Sequence, residues 1–189
     1  MKPIQRFFGH LRTVLRHRHQ VIRHCRRAGI LGQGLRHDLS KFTLAEFRPG
    51  VRYYQGTRSP NEGEREAFGY SLAWMHHKGR NRHHFEYWTD YNPATRTVEP
   101  VEMPVRYVVE MFCDRLAASK IYQKDAYRPD SALQYFLRAK PRRRIHPATS
   151  DLLERLLTMV AEQGEAAAFA EARRLVRADK IRRKQAKRK

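Results

Sequence analysis

Cysteine is scarce in this sequence, and long apolar runs are missing from it. Its 189 residues include only two cysteines, Cys25 and Cys113, too few for a disulfide framework or a cysteine-rich zinc site. No stretch approaches the roughly 18 consecutive apolar residues of a membrane span. The N-terminal residues MKPIQRFF run straight into charge instead of forming an apolar signal region. These absences predict a soluble, cytoplasmic protein that does not contact membranes.

Acidic residues are also in the minority. Asp and Glu number 19 against 39 Lys and Arg, which gives a formal net charge of +20. This excess favours an anionic partner, either a small phosphoester or nucleotide as substrate, or a nucleic acid. Hydrophobic residues make up 41% of the chain and aromatic residues 11%, which is enough to bury a core. The composition therefore predicts a folded basic protein.

Apolar residues recur at helical spacing along most of the chain, and few stretches alternate as strands do. The clearest patterns predict helices over 3–28 and 105–122. Shorter helices are predicted over 31–42, 43–54 (with a break or kink at Pro49), 64–77, 130–139, 150–162 and 165–176. Residues 90–104 contain three prolines and are expected to form an irregular connection with room for a small hairpin. The predicted fold class is all-α, a single-domain helical bundle.

Histidine is the polar residue that points to chemistry. The chain has ten, and those that could converge with a carboxylate are His17, His19, His24, His37, His76, His77, His83 and His84. Asp38 follows His37 directly, and Asp114 lies among apolar neighbours on the helix over 105–122, where an unpaired charge would be costly. Imidazole and carboxylate ligands together suit Fe, Mn, Co, Ni or Zn. We therefore predict a site for one or two divalent transition-metal ions between helices.

Each of these residues also has a plainer interpretation. The histidine pairs could be solvated positions on a basic, aromatic surface. Asp38 could cap a helix, and Asp114 could form a salt bridge with Arg115. The order and spacing of the motifs favour the metal site.

In that order, the motifs resemble the HD-domain superfamily of metal-dependent phosphohydrolases. His37, Asp38 and Lys41 in HDLSK resemble its His-Asp-x-x-Lys core, and Asp114 in CDRLAAS resembles its late aspartate. Over residues 13–127, the strings GLRHDLSKF, YYQGTRSPN, AWMHHKGRNRHHFEYW and EMFCDRLAASKIY are similar to those of a family of uncharacterised small proteins. The resemblance implies a helical bundle of the HD type.

The resemblance also implies the ligands of the first metal site. His37 would be a terminal ligand, Asp38 would bridge two ions, and Asp114 would complete the site. The superfamily's first ligand is a histidine on the preceding helix, where this chain offers His17, His19 and His24. The family pattern favours His17, and helical geometry leaves the choice open.

For the second ion, the resemblance implies His77 with one or both of His83 and His84. Asp38 and Lys41 would be the catalytic residues. Lys41 lies one turn after His37 and would hold the anionic group of the substrate. The candidate substrate-binding residues are Lys41, Arg80, Asn81 and Arg115.

The function implied is hydrolysis of a phosphoester or nucleotide by a metal-bound hydroxide. No Gly-Tyr-Pro follows the second histidine pair, so hydrolysis of cyclic dinucleotides is not implied. The glutamate that the single-metal nucleotidases carry just after His-Asp is missing, since Leu39, Ser40 and Lys41 occupy those positions. The same motifs also resemble the di-iron oxygenases built on this scaffold, and that alternative stays open.

By this resemblance, residues 1–139 would form an HD-like helical metal-binding domain, with residues 140–177 as a helical extension packed on it. Residues 178–189, with seven Lys or Arg and one Asp, are expected to form a disordered basic tail. This tail and the run KPRRR allow a non-catalytic alternative, in which the protein binds nucleic acid through phosphate contacts. The candidate contacts are Arg142, Arg143, Arg144, Lys184 and Lys187.

Overall fold

The computed structural model describes residues 1–187, and most of them are helical. The helices are α1 (Pro3–Arg27), α2 (Leu31–Arg36), α3 (Leu44–Arg52), α4 (Pro60–Phe68), α5 (Leu72–Arg80), α6 (Val105–Gln123), α7 (Ser131–Ala139) and α8 (Pro147–Ala186). Strands β1 (Thr89–Asn92) and β2 (Thr97–Pro100) pair antiparallel between α5 and α6. The predicted all-α class and the predicted hairpin are confirmed.

Helix α6 lies at the centre of the core. Its buried apolar residues follow one another around much of the helix, and they are Val108, Val109, Met111, Phe112, Cys113, Leu116 and Ala117. A helix that is apolar over so wide an arc must be covered on several sides. α1 covers one side, contributing Val21 and Cys25 to the core, and α8 covers another with Leu153 and Leu156.

The main departure from the predicted helices lies at residues 37 and 38. The pattern over 31–42 predicts one helix, but α2 ends at Arg36 and a short 3₁₀-helix begins at Leu39. His37 is extended (φ −55°, ψ 130°) and Asp38 adopts the left-handed region (φ 53°, ψ 28°). Aspartate tolerates this region better than most residues because its short side chain can bond locally. The break turns both side chains into the interior.

Glycines lie at two further boundaries between helical segments. The helix predicted over 64–77 is split into α4 and α5, because Gly69 ends α4 in the left-handed region (φ 80°). The helices predicted over 150–162 and 165–176 form the two arms of α8, joined at Gly164, whose φ of 82° and ψ of 166° are not helical. By contrast, α3 continues through Pro49.

The C-terminal segment also differs from the expectation of a disordered tail, since α8 continues to Ala186. Asp179 is buried, and its carboxylate pairs with Arg182 (3.0 Å) and Arg183 (2.8 Å). Charge pairs three and four residues apart favour a helix, which explains why this segment is helical. The last two residues of the predicted tail lie outside the described part of the chain. The predicted division between 1–139 and 140–177 stays a prediction.

None of the helices found in residues 1–187 combines the length and the apolar character needed to cross a membrane.

The contact between α1 and α2, which positions His37, depends on a buried glycine. A Cβ at Gly34 would lie 2.6 Å from Cβ of Cys25 and 3.3 Å from Cα of Ile22. We therefore expect Gly34→Ala to lower the free energy of unfolding by about 1–3 kcal/mol through overpacking, measured by urea denaturation.

The matched control is Gly32→Ala on the same helix. The nearest atom to its new Cβ is the end of the Arg36 side chain, 3.9 Å away. We expect this change to stabilise the protein by about 0.5–1 kcal/mol, because alanine loses less backbone entropy than glycine. Equal stability of the two variants would contradict the close α1–α2 contact.

Candidate metal centre

Four side chains from three parts of the chain form a first cluster: His17 on α1, His37 and Asp38 in the break after α2, and Asp114 on α6. Nε2 of His17 lies 2.9 Å from Oδ1 of Asp114, and Nε2 of His37 lies 3.6 Å from the same oxygen. Nε2 of His37 is also 3.5 Å from Oδ2 of Asp38. One ligand atom from each residue lies within 4.8 Å of the others, so the cluster could hold one ion.

A second cluster shares Asp38 with the first and adds His77 from α5 with His83 and His84 from the loop that follows. Oδ1 of Asp38 lies 3.3 Å from Nε2 of His77 and 3.5 Å from Nε2 of His83. The two oxygens of Asp38 therefore face different clusters, as a carboxylate between two cations would. The structure brings all seven of the predicted metal ligands into these two clusters.

The histidines that remained alternatives lie elsewhere. His19 is exposed on α1. Nδ1 of His24 donates to the backbone carbonyl of Cys113 at 3.0 Å. Nδ1 of His76 donates to Oε1 of Glu46 at 2.7 Å. Of the three candidates on α1, only His17 belongs to a cluster.

Several candidate metal-ligand atoms in the clusters are buried without a hydrogen-bond partner among residues 1–187. They are Nε2 of His37, His83 and His84, and Oδ1 of Asp38. Native proteins leave few buried polar atoms unpaired, because each costs about 1–3 kcal/mol. Here the four atoms converge on two adjoining points. A divalent cation at each point would satisfy them, and the mixed imidazole and carboxylate donors suit a transition metal.

The charges around Asp38 and Asp114 keep both groups in the form that binds metal. Burial raises the pKa of each carboxyl group, but the neighbouring histidines outweigh it and hold both pKa values well below the usual range. Burial lowers the pKa of His77 and, much further, that of His84. The aspartates are therefore anionic at neutral pH, and these two imidazoles are neutral and free to donate a lone pair.

The pKa of His37 is shifted in the opposite direction from those of His77 and His84. Burial lowers its pKa, but Asp38, Asp114 and Glu110 more than offset the effect and raise it well above the ordinary value. A proton and a cation would therefore compete for its Nε2.

Two glutamates orient the imidazole rings from behind. Nδ1 of His37 and Nδ1 of His83 both donate to Oε1 of Glu110, at 3.1 and 3.3 Å. Nδ1 of His77 donates to Oε2 of Glu46 at 2.7 Å. A carboxylate on one ring nitrogen directs the other toward a metal and makes it more basic, so these glutamates turn the three Nε2 atoms toward Asp38.

Neither glutamate was predicted from the sequence. Glu110 had a usable signal, because it precedes Asp114 by four residues and so lies on the same face of α6. Glu46 carried no such signal, since its role depends on how α3 packs against α5.

Arg18 was also missed as part of this arrangement. Its Nε donates to the carbonyl of His37 at 2.9 Å, and its Nη2 donates to that of Leu35 at 2.9 Å. The end of a helix leaves carbonyls without intrahelical partners. Arg18 satisfies two of them and so stabilises the break that presents His37 and Asp38.

The clusters lie in a cleft of about 620 Å³ lined by His17, Asp38, His77, His84 and Asp114, together with Lys41 and Arg115. Nζ of Lys41 is 3.5 Å from Oδ2 of Asp38, and 26% of its side chain is exposed. Burial lowers the pKa of Lys41, but the carboxylates of Asp38 and Glu46 outweigh this and raise it, so the side chain is cationic.

The other two residues predicted to bind substrate do not line the cleft. Arg80 is exposed at the end of α5, because the chain turns inward only at the next residue. Asn81 is buried, and its Nδ2 donates to Oγ of Ser40 and to the carbonyl of His77, both at 2.8 Å. Asn81 therefore holds the end of α5 in place, and binding of substrate by either residue stays a prediction.

The candidate contacts with nucleic acid divide into two groups. Arg142, Arg144, Lys184 and Lys187 are exposed, whereas Arg143 is half-buried and lines the cleft. Binding of nucleic acid by the exposed residues stays a prediction.

Comparison with known families gives one match: residues 6–159 match the model of a family of unknown function, DUF5662. No curated protein and no solved structure matches the chain. The geometry of the site therefore carries the functional argument.

If Glu110 orients His37 and His83 toward a metal, Glu110→Gln should weaken metal binding while leaving the fold intact. The change keeps the shape of the side chain and removes its charge. We expect a loss of about 10–100-fold in affinity, measured by titrating a chelator against the metal-loaded protein. Glu102→Gln, at an exposed position before α6, is the matched control. Unchanged affinity in Glu110→Gln would rule out this orienting role.

Proposed function

The chain belongs to the family of unknown function DUF5662, and from its buried centre we propose that it is a metal-dependent phosphohydrolase of the HD type. The observation that carries the proposal is the position of Asp38. Its two oxygens face separate clusters of histidines, and three imidazole nitrogens beside it have no hydrogen-bond partner among residues 1–187. This arrangement suits a pair of divalent transition-metal ions bridged by one carboxylate.

The order of the ligands along the fold supports the HD type. His17 comes from the first long helix, His37 and Asp38 from the turn after the next helix, and Asp114 from the central helix α6. The histidines of the second cluster lie between them in sequence. The HD resemblance implies this order within an all-helical bundle.

The charge of the cleft favours an anionic substrate. Lys41 places an ammonium group beside the shared carboxylate, and Arg115 adds a guanidinium to the same cleft. Divalent ions at this centre would polarise a phosphoryl group and lower the pKa of a water molecule for attack on it. Lys41 would neutralise charge that develops on the phosphoryl oxygens, and the buried histidines and aspartates would hold the ions in place. The substrate is accordingly a phosphoester or nucleotide.

The first expectation concerns metal content. Elemental analysis of the purified protein should find about one to two transition-metal ions per chain. Asp38→Asn should lose the metal, because it removes the only side chain common to both clusters, while circular dichroism stays helical.

The control for this change is Asp125→Asn, at an exposed position after α6, which should keep the metal of the wild type. A wild-type protein that binds no transition metal under any loading condition would refute the proposed function.

The second expectation concerns activity. The metal-loaded protein should hydrolyse p-nitrophenyl phosphate or bis(p-nitrophenyl) phosphate, and Lys41→Gln should lower kcat/KM by about 100-fold or more because it removes the cation beside the reacting group. Lys180→Gln, at an exposed position on α8, should leave the rate unchanged. Oxygen uptake on adding ferrous iron, without hydrolysis of any phosphoester, would favour the di-iron oxygenase instead.

A further inference from the structure

The side chains of the basic run at residues 140–144 point to different sides of the chain. Arg142 and Arg144 are exposed, whereas Arg143 is half-buried and lines the cleft beside the metal centre. The backbone of Arg143 is extended (φ −103°, ψ 129°), and side chains along extended backbone alternate in direction. One arginine of the run is thereby separated from the two that face solvent.

Arg115 lines the same cleft from α6. It follows Asp114 directly, and successive helical side chains diverge by about 100°. Asp114 therefore points into the first cluster, while Arg115 points to the adjoining wall. Of the four arginines that line the cleft, Arg58 and Arg65 pair with Glu66 and Glu62, and neither Arg115 nor Arg143 belongs to a cluster of candidate metal ligands.

Both guanidinium groups lack the partners that buried cations normally have. Within residues 1–187, no carboxylate lies at ion-pair distance from either of them, and Nε of Arg115 and Nη1 of Arg143 are buried without a hydrogen-bond partner. Nη2 of Arg115 donates to a weak acceptor, Sδ of Met111, at 3.8 Å, and its Cζ lies 5.9 Å from the ring centre of Phe136. Arg143 lies against aromatic rings, with its Cζ 5.8 Å from the ring centre of Phe85 and 5.6 Å from that of Tyr135.

The two cations are close enough to influence each other. The positive charge of Arg143 acts on Arg115, and both side chains line the cleft. Glu86 also lines the cleft and acts in the opposite direction on Arg115, and its Oε2 is buried without a partner among the described residues. The three groups together carry a net positive charge, and an oxyanion would supply the missing acceptors.

We propose that Arg115 and Arg143 form an oxyanion subsite beside the metal centre, and that the substrate is a phosphoester carrying a second phosphate that binds there. Paired guanidinium forks match the geometry of phosphate oxygens. The existence of the subsite is independent of the proposed function, whereas the nature of the substrate rests on it.

Sulfate is a suitable first probe, because it has the shape of phosphate and is not hydrolysed. Isothermal titration of the full chain at low ionic strength should find one saturable sulfate site. Arg143→Gln should weaken binding by about tenfold or more, as expected for the loss of a charged hydrogen-bond donor. Its neighbour Arg142→Gln should stay within about twofold of the wild type. Equal losses in the two variants, or no saturable binding, would overturn the subsite.

Further variants separate the subsite from the metal centre. Arg115→Gln should weaken sulfate binding as Arg143→Gln does, and Glu86→Gln should strengthen it, because it removes a competing negative charge. Weaker binding in Glu86→Gln would contradict the arrangement. Asp38→Asn should lose metal and keep sulfate affinity. Loss of sulfate binding in Asp38→Asn would place the anion at the metal centre and overturn a separate subsite.

The substrate class is tested with alkanediol bisphosphates of increasing chain length, each beside its monophosphate, titrated into the metal-loaded protein. At least one length should bind about tenfold tighter than its monophosphate, and that margin should vanish in Arg143→Gln but persist in Arg142→Gln. No margin at any length would overturn the second phosphate. Failure of the proposed function would be seen separately, as a chain that binds sulfate through Arg143 but no transition metal.

Discussion

The buried carboxylate of Asp38 is the constraint on which the rest of the structure depends. Only 2% of the residue is exposed, and burial of an unpaired carboxylate costs several kcal/mol. Compensation comes from His37 beside it and Lys41 one turn on, and a cation held with His77 on α5 and His83 in the loop after α5 would complete it. None of these can act unless the segments that carry them pack together. The arrangement of α1, α2, α5 and α6 around one point is therefore an electrostatic requirement as well as a consequence of apolar burial.

The backbone around Asp38 is stabilised from a distance. The left-handed conformation at this residue ends α2 early, and Arg18 binds the carbonyls of Leu35 and His37 from the neighbouring helix. Glu110 then links the two clusters, because a single oxygen accepts hydrogen bonds from His37 of the first and from His83 of the second. A displacement of α6 would consequently move ligands of both clusters together, so the geometries of the two sites are coupled.

The sequence predicted most where local pattern and motif order decide the outcome. Periodicity gave α1 and α6 to within a residue or so at their ends, and the motifs named every side chain that the structure brings into the two clusters. The break at His37 and Asp38 could not be predicted from periodicity, because it depends on Arg18, whose sequence separation from His37 is 19 residues. The orienting role of Glu46 and the burial of Arg143 likewise depend on tertiary packing. Charge pairs around Asp179 order a segment that composition alone presents as disordered.

The excess of positive charge has two physically different parts. Exposed cations such as Arg142 and Arg144 act in water, where salt screens them beyond about 10 Å, so they attract anions without selecting among them. Arg115 and Arg143 lie in the cleft with buried nitrogen atoms that have no partner among residues 1–187. In a partly desolvated site the same charge interacts more strongly and only at defined positions. Net charge therefore accounts for a general preference for anions, while the selection of one anion depends on which arginines the backbone turns inward. Within residues 142–144, the extended backbone of Arg143 determines which arginine lines the cleft. Amino-acid composition cannot predict this.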